Sequence, residues 1–259
     1  MIVNSVNNIS YPYNAPSFKY FCVKQCTPEY SFLTKTEFFR QDVCWNRFID
    51  LLNMKYKNAD KVNIICHACS DGEEAYSLAL KLITDFGEKA EKFFPIIARD
   101  INHDNICLAK AGEFAVSDIE LDRIDTYSEG NFSKFFNSIG HYIKAKDILK
   151  DKIIFEQGDI LTDVEQFGAE NTVIMCRNIL PNMPPAMRKE LAEKLSKYIA
   201  PSSLVVFGEW DICDKLVYKY MAENGFIMSN LRGIYYKSEN KYKPANLMHE
   251  MYLYLSKKN

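Results

Sequence analysis

Glycine is scarce in this chain, at 10 of 259 residues, where about 7% is usual. That excludes collagen-like and glycine-rich architectures. An excess of one charge is missing too. Lys plus Arg number 32 and Asp plus Glu 34, a net charge of −2. No broad basic face follows from that balance, so nucleic acid and acidic lipid are not expected partners. No run reaches the roughly 18 consecutive apolar residues of a membrane helix. The opening MIVNSVNNISYPYNAP has no basic stretch leading into an apolar one, so no secretory signal is read there. Eight cysteines, at 22, 26, 44, 66, 69, 107, 176 and 213, are too sparse for a disulfide scaffold. They fit reduced thiols and a cytoplasmic location.

What is present is an ordinary globular balance, 47% apolar and 25% charged, rich in aromatics with 16 Tyr and 17 Phe. Residues 1–33 are polar and aromatic without periodicity and read as an extended arm. Aromatic and apolar residues at helical spacing then predict a helix over 36–56. Beyond it, short β-branched runs alternate with amphipathic stretches. Strands are predicted at 62–66, 95–99, 152–156, 172–176 and 203–208. Helices are predicted at 73–86, 103–111, 186–199 and 214–224. FIMSNL (226–231) and MYLYLS (251–256) are expected to close the sheet as an antiparallel pair. The whole predicts an α/β domain over 34–259 with a mixed sheet of about seven strands. The stretch 112–151 is too long for a plain crossover. It reads as an inserted subdomain, a small helical piece plus one or two strands.

In such a sheet ligands sit beyond the carboxyl ends of the strands. After the first strand comes CHACSDGEEAYS. Gly72 is its only glycine, so the turn lacks the G-x-G-x-x-G pattern that lets a backbone approach a pyrophosphate. Ser70 or Asp71 is the expected N-cap. Glu73 and Glu74 follow, where carboxylates stabilise a helix start by about 0.3–1 kcal/mol and also attract a cation. Asp100 ends the second strand, suited to accept both hydroxyls of a ribose. Asp159 and Ile160 follow the third, a polar group beside an apolar one, as an adenine needs. Arg177 and Asn178 end the fourth, ahead of a loop stiffened by Pro181, Pro184 and Pro185. Together they suit a phosphate-free nucleoside with a cationic tail, which S-adenosylmethionine is.

These pieces also occur in a known order. T-x-FFR (36–40), CSDGEEAYSLAL (69–80), ARDI (98–101), AKAGEF (109–114), FEQGDIL (155–161) and CRN (176–178) resemble the chemotaxis receptor methyltransferases, the CheR family, over about 34–237. The resemblance implies a class I S-adenosylmethionine-dependent methyltransferase fold, seven-stranded and Rossmann-like. It implies direct methyl transfer to a protein glutamate, with S-adenosylhomocysteine as product, in a cytoplasmic monomer acting on a protein substrate such as a chemoreceptor-like helix. It places Thr34, Thr36, Arg40, His67, Glu73, Glu74, Asp100, Asp159, Ile160, Arg177 and Asn178 at the cofactor, without choosing between the two glutamates. Arg40 is the expected grip on the acceptor carboxylate. Asn182 stands where the family has an active-site tyrosine, and Gly208-Glu209-Trp210-Asp211 replaces a GHSE segment. About 30 residues precede the FFR segment, where the family carries a helical domain. An acceptor other than a carboxylate, such as an amine or amide, and a divergent binding or regulatory module are the alternatives. Zinc on Cys22, Cys26, Cys66 and Cys69 is weighed from the ligand-like spacing and not adopted, so no metal is expected. Asp100→Ala is expected to weaken cofactor binding with little loss of stability.

Overall fold

Short β-branched runs, apolar on both faces, build the centre of the protein. The structure, a computed structural model, describes residues 36–213 and 215–237. Along the chain run α1 (Trp45–Lys55), β1 (Asn63–His67), α2 (Glu73–Phe86), β2 (Ile96–Asp100) and α3 (His103–Ala111). Next come β3 (Glu113–Ala115), α4 (Asp118–Tyr127), α5 (Phe132–Phe135), β4 (Phe136–Ile139), β5 (Tyr142–Ala145) and α6 (Asp147–Lys150). Then follow β6 (Ile153–Gln157), α7 (Ile160–Asp163), β7 (Thr172–Met175), α8 (Pro185–Tyr198) and β8 (Leu204–Val206). The last elements are α9 (Glu209–Ile212), α10 (Lys215–Glu223), β9 (Phe226–Met228) and β10 (Ile234–Lys237).

The main sheet has the order β6-β2-β1-β7-β8-β10-β9. Its first five strands are parallel, and β10 runs antiparallel to both neighbours. Strand order reverses at β1, which pairs with β2 on one side and β7 on the other. In such sheets ligands bind beyond the carboxyl ends of the strands at this switch point, here β1 and β7. Helices cover both faces, so β7 and β8 are buried at every residue, as parallel strands are. This is the seven-stranded mixed architecture expected of a class I methyltransferase fold.

Among the described residues the antiparallel partner of β9 is Ile234–Lys237; the expected partner, 251–256, lies outside them, as does the arm at 1–33. One expectation changes. The helix expected from 36 begins only at Trp45. Residues 36–44 form turns, because Phe38 and Phe39 are both fully buried and anchor in different places. Phe38 meets Phe114 and Phe136 edge-on, with ring centroids 4.9 and 5.5 Å away. Phe39, in the left-handed region at φ 49°, stacks on Tyr127 at 4.3 Å and meets Trp45 at 5.4 Å. Such ring pairs add about 0.5–1.5 kcal/mol beyond burial. They fix the backbone on which Arg40 sits.

The stretch 112–151 holds a separate three-stranded antiparallel sheet, β3-β5-β4, with α4, α5 and α6. It has one strand more than the upper expectation. Ser117 and Glu120 form a capping box at the start of α4. Glu120 Oε1 also accepts the Phe38 N–H at 3.2 Å, tying the 36–44 segment to this part.

Candidate functional site

The turn after β1 is tightly constrained. Ala68 and Ser70 both lie in the left-handed region, at φ 53° and 50°, and Gly72 follows at φ 101°. A side chain at Gly72 would meet Ala109 Cβ at 3.0 Å and Phe155 at 3.2 Å, so only glycine fits. Gly72 itself is the N-cap of α2, without a side-chain cap, in place of the expected Ser70 or Asp71. Non-glycine residues held at positive φ cost of order 1 kcal/mol or more and collect at functional sites.

Asp100 anchors this turn. Its Oδ2 accepts the Ser70 N–H at 2.9 Å, and its Oδ1 accepts the Asn102 N–H at 2.8 Å and Asn105 Nδ2 at 3.3 Å. The carboxylate is buried. Replacement by alanine would orphan three donors, so Asp100→Ala is expected to cost stability as well as cofactor binding. Ser70 Oγ, also buried, has no hydrogen-bond partner among the described residues.

Beyond β7 lies a dense ionic cluster. Arg177, with 2% of its side chain exposed, donates from Nη1 to Glu74 Oε2 at 2.7 Å and from Nη2 to Asp42. Its guanidinium stands over the Trp45 ring. Burial pushes the Glu74 carboxyl up, with Arg177 pulling the other way. Burial also pushes Asp42 up, but Arg177, Asn178 and Arg40 outweigh it and hold Asp42 below its ordinary range. Asn178, at φ 61°, donates from Nδ2 to Asp42 Oδ2 at 2.9 Å and accepts the Trp210 N–H at Oδ1, 3.3 Å away. Arg40 Nε lies 3.9 Å from Asp42 Oδ2, and its carbonyl accepts the Trp45 indole N–H at 3.1 Å. Another buried carboxylate, Asp211, receives the N–H groups of Asn178, Leu180 and Gly208. Burial pushes it up to about 6 against the pull of those donors.

The structure thus brings Arg40, Glu74, Arg177 and Asn178 into one cluster, with Asp100 and the β1 turn on the adjoining strand ends. Glu73 shares the first turn of α2, and Thr36 lies at the start of the described chain. Thr34, Cys22 and Cys26 fall outside the described residues. Asp159 uses Oδ1 to accept the Leu161 N–H at 2.9 Å, as the N-cap of α7. Ile160 is 4% exposed and packs in the core with Val164 and Phe167, so it does not present a free apolar face. Asn182 is exposed in a single 3-10 turn, Leu180–Asn182. Cys66 and Cys69 are buried free thiols. Among the described residues no group of three or more His, Cys, Asp or Glu is placed to hold a metal.

His67, the last residue of β1, is buried. Successive strand residues face opposite sides of a sheet, so it turns away from Cys66 and packs on Phe167 at 5.5 Å. Its Nε2 lies 3.7 Å from Asp163 Oδ2, which Arg99 Nη1 approaches at 3.4 Å. Burial, with Arg99, lowers its pKa to about 3. An unfolded histidine titrates near 6.5. The folded state therefore keeps its full advantage above that pH and loses it as pH falls towards 3. Stability is expected to drop by about 2 kcal/mol from this group between pH 8 and pH 5. Urea denaturation at both pH values checks this, and His67→Gln should remove that part of the slope.

Neither Asp42 nor Asp211 is among the site residues expected from sequence; Asp211 enters there only within the segment that replaces GHSE. One signal was available for Asp42. An arginine directly after the buried run TVIMC needs a counter-charge, and the first acid after the FFR segment supplies it.

Residues 34–223 match the family described as the SAM-binding domain of CheR methyltransferase. A chemotaxis protein methyltransferase of Borreliella burgdorferi is 26% identical over 67% of this chain and 62% of its own length. Chemotaxis protein methyltransferase 2 of Vibrio cholerae is 24% identical over 60% of this chain and 53% of its own. A probable chemotaxis protein methyltransferase of Rhizobium etli is 27% identical over 56% and 55%. The chain therefore spans between about half and just under two thirds of these relatives. S-adenosylmethionine is the cofactor of the matched family, and the residues present fit it. An orphaned buried hydroxyl, Ser70 Oγ, lies next to an acidic helix start. Asp100 Oδ2, with one donor, retains acceptor capacity for a hydroxyl. Match and chemistry agree, and the chain belongs to the CheR methyltransferase family through its SAM-binding domain.

Proposed function

We propose that this domain transfers a methyl group from S-adenosylmethionine to a carboxylate, a glutamate side chain on a protein such as a chemoreceptor-like helix. The observation that carries this reading is the convergence of Arg40, Glu74, Arg177 and Asn178 beside the switch point of the sheet. The cofactor, when bound, supplies an activated methyl on a sulfonium centre. Asp100 would hold ribose hydroxyls. Glu73 and Glu74, at the start of α2, would face the cationic tail, with Asp159 towards the adenine. A glutamate has an ordinary pKa of about 4.3, so the acceptor arrives ionised and the chain needs no base. What the chain must supply is alignment. Arg40, with 29% of its side chain exposed, is suited to grip the acceptor carboxylate by a charge-assisted contact. Among the described residues no helix is long and apolar enough to cross a membrane.

Two measurements test this. S-adenosylhomocysteine should bind in calorimetry. Asp100→Asn, which keeps one acceptor oxygen, should bind it at least about tenfold more weakly, as loss of a charge-assisted hydrogen bond predicts. Incubation with methyl-labelled cofactor and glutamate-bearing helical peptides should yield label that alkali releases as methanol. Alkali-stable label would place the acceptor on nitrogen, and absence of any binding would remove the methyltransferase reading.

A further inference from the structure

Asn178 has a side chain that is held from both ends. Its Nδ2 donates to Asp42 Oδ2 at 2.9 Å, and its Oδ1 accepts the Trp210 N–H at 3.3 Å. A Cβ on Gly208 would stand 2.4 Å from that Oδ1, so the amide fills the space between the ends of β7 and β8. Its left-handed backbone points it there, and Asp211 accepts its N–H. Asp42 is the common partner across this gap. Its carboxylate is 6% exposed and takes Asn178 Nδ2, Arg177 Nη2 and, at 3.4 Å, the Glu209 N–H. Arg40, two residues earlier, has its Nε 3.9 Å away. Donors from two separate segments, 177–178 and Glu209, therefore meet on one carboxylate.

We propose that Asp42 is a positioning residue: it sets the Asn178 amide and the Arg177 guanidinium for cofactor binding without touching the cofactor itself. The inference rests on the proposed placement of Arg177 and Asn178 at the cofactor. The chemistry is specific to an anion in this place. A carboxylate only accepts, so it forces the NH2 end of Asn178 towards itself and the carbonyl end towards Trp210. An amide in its place presents a donor as well and lets Asn178 flip. The same carboxylate fixes one edge of Arg177 while Glu74 fixes another, which holds the guanidinium plane.

The test is a double-mutant cycle read by calorimetric binding of S-adenosylhomocysteine, with thermal denaturation of each variant. The variants are Asp42→Asn, Asn178→Gly, which suits φ 61° without strain, and the pair. Asp42→Asn is expected to weaken binding about tenfold or more. In the Asn178→Gly background the same change should cost less than in the wild type, because one of the two groups it acts through is gone. Should Asp42→Asn fail to fold, Asp42→Glu keeps the charge and shifts the carboxylate by one methylene, and the same comparison applies. A variant that melts earlier but binds normally when folded would overturn the inference, leaving Asp42 a purely structural partner. Losses that multiply fully in the pair would overturn it too. Wild-type protein that fails to bind would instead overturn the cofactor reading itself.

Discussion

Arg177→Met is expected to cost about 3–5 kcal/mol of stability at neutral pH, the usual scale for removing one partner of a buried ion pair. Methionine keeps much of the side-chain stem that reaches towards Trp45, so packing is largely retained. What goes is the cation between Asp42 and Glu74. Two buried carboxylates are then left facing each other across its place. Their native pKa directions already differ: Glu74 is pushed up by burial, whereas Asp42 is held down by its donors. Without Arg177 both should rise. A carboxyl raised on folding favours the folded state at low pH, so the loss should shrink as pH falls towards 5. Urea denaturation of both proteins at pH 7.5 and pH 5 measures the difference. An equal loss at both pH values would mean that the guanidinium acts by packing and not by charge.

Asp211→Ala carries the second large effect, about 3 kcal/mol or more. Asp211 is fully buried and holds the N–H groups of Asn178, Leu180 and Gly208. An orphaned buried donor costs about 1–3 kcal/mol, and water entering the space left by the side chain relieves part of the total. Asp211→Asn should fall between, because its carbonyl still accepts on one side. The loss should also be local. The backbone after β7 turns on these bonds, so amide hydrogen exchange at 178–180 should speed up before the sheet does. Unchanged exchange there, with the same global loss, would show that the loop holds its shape through its prolines alone.

The main sheet could be read from sequence because each parallel strand is a short β-branched run bounded by polar residues. VNIIC, PIIAR, KIIFE and TVIMC each lie within one residue of the observed strand limits. The residues at their carboxyl ends followed from topology. Side-chain direction was harder. Cys66 and His67 are neighbours yet face opposite sides of β1, and Ile160 turns into the core because Asp159 starts a helical turn. The 36–44 segment has helical spacing, but its two phenylalanines anchor at distant rings and break the helix. Asp42 and Asp211 were hidden for a different reason. Asp42 lies 135 positions from Arg177, and Asp211 lies 33 from Asn178. Hydrogen-bond partners that far apart leave no periodic trace.

Phe38 acts as a dowel. Its ring is lodged against β3 and β4 of the smaller sheet, its amide hangs from Glu120, and its neighbour Phe39 donates to Ser77 Oγ on α2 at 2.9 Å. Loosening the small sheet therefore withdraws the peg that keeps Arg40 and Asp42 in register with β7. The two regions are joined mechanically, and whatever stiffens one damps the motion of the other.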